Sequence, residues 1–383
     1  MKHIAILVPS FPIASETFVI TEINALVSAG HKVSVLTFET HNTPNQLSAG
    51  VDVYCIAKPS IRDLLKVGIF NSRTPYAINT AAKFNSISTL SLLGYGAAIA
   101  QQIKMINAEH LHCHFMHGPL AYGIVAAKLA NITVSSIGHG HDVYVNGADI
   151  KHKLNECDFV VAVCKDMKSQ FERVSRTQTK LLHCGVNLNF FSNKVTALNS
   201  DIKLIFIGRL VEKKGLQFLL PVIKRLQKHV FVSLDIVGDG PLFEELERLS
   251  YALGINRQVR FLGRKSPKWI AENCSKYSAL VAPFCIALNG DRDTGPLVLK
   301  EAMACGIPVL STRLMGVKEI VTKQVGMLCE PGDEGALYQM LKEFCQLSPY
   351  VRYVMGENAN QLVSRYFNAQ LQAKKLSSWV QAL

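Results

Sequence analysis

Two stretches of this chain share one plan. IAILVPSFPIASETFVITEINALVSAGHKVSVLTF, near the start, and IKLIFIGRLVEKKGLQFLLPVIKRLQKHVFVSLDIVG, from Ile202, each run strand, loop, helix, strand. Around them short apolar runs recur: VDVYCI, HLHCHF, TVSSIG and DFVVAVC in the first half, VRFLG, ALVAPF and IPVLST in the second. Amphipathic helical stretches, such as Thr17–Ala29, Leu216–Lys228 and Leu242–Ala252, lie between them. Strands of about five residues alternating with helices predict parallel α/β sheets. The restart near residue 202 predicts two doubly wound, Rossmann-like domains. The polar stretch Asn187–Asp201 is the natural linker, which gives domains at 1–190 and 191–383. The final helix, about 369–383, is able to pack on either domain, including back on the first. In doubly wound sheets ligands bind at the carboxyl ends of the strands, so the expected site is a cleft between two facing domains.

Composition narrows the class. With 49% hydrophobic and 18% charged residues, large cores are easily filled and disorder is not expected. The ten cysteines include no C-x-x-C pair, which reads as buried thiols in a reducing compartment. The opening MKHIAILVPSFP reads as a core strand without a signal-peptide cleavage site. The charge-free run between Lys83 and Lys104 is diluted by polar residues and reads as a buried helix, so no transmembrane segment is expected. A net charge of +12 suits anionic ligands or membrane surfaces; a nucleic-acid partner is not expected.

Three segments carry candidate chemistry. In DTGPLVLKEAMACGIPVLST, Asp293–Thr312, Pro296 fits the first position of a helix and Gly306 its stop, predicting a helix over Pro296–Cys305. The first turn leaves the Leu297 and Val298 amides free to cradle phosphate. Glu301 lies roughly 7 Å further along the axis, where a carboxylate can accept bonds from a ribose. In GRLVEKKG, Gly208–Gly215, Arg209 ends a strand and Lys214 precedes a helix, so both can reach one diphosphate. VGDGP, with Gly238 and Gly240, is a third strand-to-helix turn.

The order and spacing of GRLVEKKG, IVGDGP, VRFLG and GPLVLKEAMACGIPVLST resemble the retaining GT-B glycosyltransferases of family 4. FPIASETFV and HGHDVYV resemble the group within it that builds bacterial surface polysaccharides. The resemblance is dense over about residues 200–335 and loose in the first half. It implies a GT-B fold and a cytoplasmic, hexosyltransferase-type enzyme. That enzyme would move a sugar, with retention, from a nucleotide-diphosphate sugar to a glycan or polyprenyl-diphosphate-linked acceptor. It would do so without a cofactor or metal, positive side chains and helix amides serving instead; a UDP-sugar is favoured over a GDP-sugar. By the same resemblance Arg209 and Lys214 bind the donor diphosphate, Glu301 holds the ribose, Asp293 contacts the donor sugar and His139 lies near the transferred sugar. Gly208, Gly238, Gly240, Arg264, Gly295, Pro296, Leu297 and Val298 complete the donor set. Ser15, Glu16, His114 and Asp142 are candidates for acceptor or sugar contact, Ser15 also being placed to cap the first helix.

Two features depart from that family. Its first acid is a glutamate followed directly by glycine; here Asp293 is followed by Thr294 and then Gly295. The N-terminal loop has SFPIASET where many members place paired glycines. Two other readings stand beside the main one. A metal-dependent hydrolase would use His110, His112 and His114 on one strand face, with His117 beyond. A sugar-nucleotide-binding subunit without catalysis would follow from the altered acid. Asp291 and Asp293 form a D-x-D pair, but ahead of a Gly-Pro helix start rather than in a metal-motif context. IRDLLKVGIF, residues 61–70, is a candidate membrane-surface helix, consistent with placement at the inner face of the plasma membrane.

Overall fold

The computed structural model describes residues 1–13, 15–42, 47–59, 72–192 and 200–383. The candidate membrane-surface segment, 61–70, and residues 193–199 of the expected linker lie outside the described residues. The chain divides into two compact units, Met1–Gly185 with Ala369–Leu383, and Val186–Asn368. Among the described residues no helix is long and apolar enough to cross a membrane.

In the first unit seven parallel strands lie in the order β3-β2-β1-β4-β5-β6-β7. They are β1 (His3–Phe11), β2 (Lys32–Thr40), β3 (Asp52–Cys55), β4 (His110–His114), β5 (Thr133–Gly138), β6 (Phe159–Ala162) and β7 (Thr179–Leu181). The central strands read as near-continuous apolar runs because helices cover both faces. Ile4 to Val8 in β1 and Phe159 to Ala162 in β6 are buried throughout. Each fully buried Ile, Leu, Val or Phe contributes about 1.5–3 kcal/mol. Helix Ala369–Gln381 packs on helix Thr17–Ser28, and His31 Nε2 lies 2.8 Å from Ser377 Oγ. The chain's last segment thus belongs to the first unit.

The second unit has six parallel strands in the order β10-β9-β8-β11-β12-β13. They are β8 (Ile202–Ile207), β9 (Val232–Val237), β10 (Val259–Gly263), β11 (Ala279–Ala282), β12 (Val309–Thr312) and β13 (Gly326–Cys329). Alternation along β8 sends Ile205 and Ile207 into one core, with Leu299 and Met303. Leu204 and Phe206 enter the other, with Leu216, Leu219 and Ile223.

Each sheet reverses its strand order once, between β1 and β4 and between β8 and β11. A reversal opens a crevice at the carboxyl ends of the two strands. The loops after β1 and β4 in one unit, and after β8 and β11 in the other, are therefore where a site is built.

Candidate functional site

In the second unit three strand-to-helix loops interlock through glycine. Gly208 N donates to Val237 O (3.0 Å), Leu210 N to Asp239 O (2.9 Å) and Leu242 N to Leu210 O (3.1 Å). Gly238 sits at φ +144, and a Cβ there would lie 1.8 Å from Gly208 O; one on Gly240 would lie 2.5 Å from Leu210 O. Backbone packing between loops accounts for these two glycines, which were expected as donor contacts. Gly215, at φ +74, plays the same part toward the β11 loop, a Cβ there meeting Pro283 O at 1.9 Å. Gly263 O accepts from Gly238 N (3.0 Å), and Arg264 follows it, exposed, at the end of β10.

That frame sets out the charged groups. Lys214 closes the short 3-10 turn Glu212–Lys214. Its Nζ lies 3.1 Å from Asp293 Oδ1 and 3.0 Å from Oδ2, and 4.8 Å above the Phe284 ring. Arg209 is exposed at the end of β8; among the described residues its guanidinium makes no hydrogen bond or ion pair. Two ties missed by sequence reasoning hold the turn to the loop after β11. Glu212 Oε1 accepts from Leu288 N (3.0 Å), and Lys213 Nζ lies 3.0 Å from Asp291 Oδ1. Three consecutive residues, 212–214, therefore grip one loop. The two acids of the D-x-D pair each face a lysine.

That loop leads into helix Leu297–Ala304. The helix starts one residue later than expected, with Pro296 as its N-cap at φ −60, ψ 123 and no capping side chain. The missing cap is what leaves the Leu297 and Val298 amides to a ligand. Thr294, the residue inserted between acid and glycine, is buried, and its carbonyl accepts from Gly316 N (3.0 Å). Gly306 terminates the helix at φ +80. Glu301 is only partly exposed, and among the described residues its carboxylate has no hydrogen-bond or ion-pair partner. Burial raises its pKa to about 7, against an opposing pull from Lys300. A desolvated carboxylate without a partner is a strong acceptor for a hydroxyl.

In the first unit the loops after β1, β4 and β5 carry the other candidates. Helix Thr17–Ser28 is capped by the backbone of Glu16, and neither Glu16 nor Ser15 makes a side-chain cap, so the expected Ser15 cap is not formed. Burial raises the Glu16 pKa to about 7; His114 lowers it and Asp142 raises it further. Asp142 is buried and occupied: it accepts from Met116 N (2.7 Å) and from His139 N (3.0 and 3.2 Å). Expected as a sugar contact, it instead pins the β4 and β5 loops together. The His139 ring stacks on His114 (5.7 Å, 10°) and packs on Phe18 (4.5 Å) and Phe115 (4.9 Å). Burial, with His114 and His112 nearby, holds its pKa well below the usual value and keeps it neutral. Phe115 adopts φ +72, a conformation rare for a bulky residue and found at sites that over-determine it.

The histidines of β4 divide differently from expectation. His110 is spent, Nδ1 lying 2.7 Å from Thr133 Oγ1 and Nε2 2.7 Å from Ser135 Oγ. His117 precedes helix Gly118–Ala130 and stacks on Phe115. His112 and His114 instead converge on Glu22 Oε1, at 3.6 and 3.0 Å. Glu22 lies in helix Thr17–Ser28, where it is the one charged residue; that is the trace it leaves in the sequence.

Comparison with known proteins places this geometry. The model of Glycosyltransferase Family 4 matches residues 15–190, and that of Glycosyl transferases group 1 matches residues 189–362. WcaL of Escherichia coli, named for colanic acid biosynthesis, is 27% identical over 97% of this chain and 98% of its own length. AmsK of Erwinia amylovora, an amylovoran biosynthesis glycosyltransferase, is 23% identical over the same shares. The fold matches Anabaena HepE, solved with UDP and glucose, at a TM-score of 0.74 and 18% identity over 100% of both chains. It also matches sucrose-phosphate synthase from Thermosynechococcus elongatus at a TM-score of 0.77 and 18% identity, over 100% of this chain and 99% of that one. The hydrolase reading falls with these matches and with the spent His110, and so does the reading as a subunit without catalysis. With both of its modules matched from Ser15 to Leu362, the chain belongs to the family 4 glycosyltransferases, enzymes of GT-B fold.

Proposed function

We propose that this enzyme transfers a hexose, with retention, from a UDP-sugar to a growing or polyprenyl-diphosphate-linked glycan during assembly of an extracellular polysaccharide. One observation carries the donor half of the reading. At the carboxyl ends of β8 and β11, loops locked by glycine packing present an unpaired Arg209, Lys214, uncapped helix amides and the unpartnered Glu301. A diphosphate–ribose ligand asks for these groups in that order. Arg209 and Lys214 stabilise the charge that grows on the leaving diphosphate, the amides of Leu297 and Val298 hold its oxygens, and Glu301 accepts from the ribose. Asp293 meets the sugar. The anomeric carbon–oxygen bond to the diphosphate breaks, the acceptor oxygen bonds on the same face, and the acceptor proton passes to the departing phosphate. No side chain acts as nucleophile and the donor site assigns no place to a metal ion.

The polysaccharide setting is supported by WcaL and AmsK, which align over 97% of this chain. UDP is the nucleotide to test first, because HepE, of the same fold, was solved with UDP-glucose. Placement at the inner face of the plasma membrane follows from a lipid-linked acceptor. The deciding experiment is turnover against a panel of UDP- and GDP-sugars with a lipid-diphosphate glycan acceptor, the anomeric configuration of the product being read by NMR. Transfer with inversion, or from no nucleotide sugar at all, defeats the proposal.

A further inference from the structure

We propose that Glu22, His112 and His114 form a binding site for a divalent transition-metal ion of zinc type, in the first unit and apart from the groups assigned to the donor. The three side chains each offer one ligand atom, and these atoms lie within 4.8 Å of one another. Two are imidazole nitrogens and one is a carboxylate oxygen, the donor set of borderline ions such as Zn²⁺. Tetrahedral bonds of about 2.0–2.1 Å place neighbouring ligand atoms about 3.3 Å apart. Glu22 Oε1 stands 3.0 Å from His114 Nε2 and 3.6 Å from His112 Nε2, on either side of that spacing. The two imidazole nitrogens lie within 4.8 Å of each other, so that edge has to close by at most about 1.5 Å around an ion.

A second observation points to a ligand. His112 is fully buried, yet its Nε2 has no hydrogen-bond partner. A buried imidazole nitrogen left unpaired costs free energy that a bound ion recovers. The other nitrogen, Nδ1, lies 2.7 Å from Ser135 Oγ, the outer contact that fixes ring orientation in metal-ligating histidines. His114 carries no such contact on Nδ1, so His112 is the firmer ligand. Three protein ligands leave a fourth position for water. The two histidines stand on the central strand β4 and the glutamate on helix Thr17–Ser28, so the ion would clamp that helix to the sheet. It would also hold His114, the ring on which His139 stacks.

The test is direct. Protein stripped with EDTA and desalted is titrated with zinc against a chromophoric chelator, and separately with cobalt while its visible and near-ultraviolet absorption is recorded. The expected result is one equivalent of zinc and a cobalt spectrum without a thiolate charge-transfer band. Glu22→Gln and His112→Gln should each weaken zinc at least about 100-fold, and Ser135→Ala about 10- to 100-fold. Stripped protein should melt lower while binding UDP-glucose as before. Absence of zinc uptake by the wild type overturns the proposal whatever the variants do. A thiolate band overturns it in favour of cysteine, and zinc uptake unchanged in both ligand variants overturns it as well.

Discussion

Replacing Glu301 by glutamine separates a ligand-binding acid from a merely structural one. Glutamine keeps the shape and removes the charge. Glu301 titrates near pH 7 rather than at 4.5, because burial disfavours its charged form. For an acid whose folded pKa is raised, the contribution to stability is fully present below the unfolded value and is lost as pH rises through the folded one. The window here is pH 4.5 to about 7. At about 1.4 kcal/mol per pH unit, the loss reaches at most about 3 kcal/mol above pH 7. Glutamine escapes it, so the variant should be more stable than wild type at pH 8 and level with it near pH 4.5. Binding should move the opposite way. If the ribose needs the carboxylate, only about one molecule in ten is competent at pH 6, and wild-type affinity for UDP-glucose should fall about 10-fold between pH 8 and pH 6. The variant should bind about 5- to 30-fold more weakly than wild type at pH 8, a charged bond being exchanged for a neutral one. Its affinity should be nearly flat with pH. UDP-glucose is the right probe because its diphosphate, substituted at both ends, does not titrate in this window. Calorimetry at pH 6 and pH 8, with thermal melts of the free proteins, gives both readings. A variant that binds UDP-glucose like the wild type at both pH values refutes the ribose assignment.

Three other outcomes follow from the geometry. Arg209→Ala should weaken UDP binding roughly 10- to 150-fold with little change in melting temperature, since the exposed guanidinium supports nothing else; unchanged calorimetry removes it from the donor site. Gly238→Ala should cost at least about 2 kcal/mol in urea unfolding, because its Cβ would stand 1.8 Å from Gly208 O at a positive φ; a smaller loss means the loops are not locked as described. Asp293→Asn should cut donor turnover while leaving UDP affinity within a few-fold or tighter, since it also frees Lys214 from its ion pair; normal turnover denies Asp293 a role at the sugar.

Much of the fold was legible because parallel strands buried on both faces are written as short apolar blocks. All eleven blocks singled out in the sequence became strands. The two edge strands that escaped notice, Thr179–Leu181 and Gly326–Cys329, are short and lie at sheet edges, where burial is one-sided and the apolar signal thins. The helix starting after Pro296 was visible through proline and glycine, residues whose backbone demands are local. Its offset by one residue reflects a proline that serves as cap rather than first turn.

The sites of the two units were legible to different degrees, for a physical reason. On the donor side the groups sit on loops whose turn glycines, charges and helix starts each show as a short motif, even though their partners are far away in sequence. Even there, motif spacing could not separate a glycine that contacts a ligand from one that lets two loops touch; the close approaches at Gly238 and Gly240 decide that. In the first unit the chemistry depends on strand and helix faces meeting. His110, His112 and His114 look equivalent at a period of two, yet Thr133 and Ser135 on the neighbouring strand consume both nitrogens of the first. A helix acid 88 residues before His110 meets the other two. Asp142 shows the converse. Its position in GHGHD suggested a sugar contact, and three bonds to backbone amides show a carboxylate used to build the loop that presents His139. A residue's place in a motif therefore says that the local structure needs it. Its remaining hydrogen-bonding capacity says whether a ligand can have it, and by that measure Glu301 and Arg209 are available while Asp142 and His110 are not.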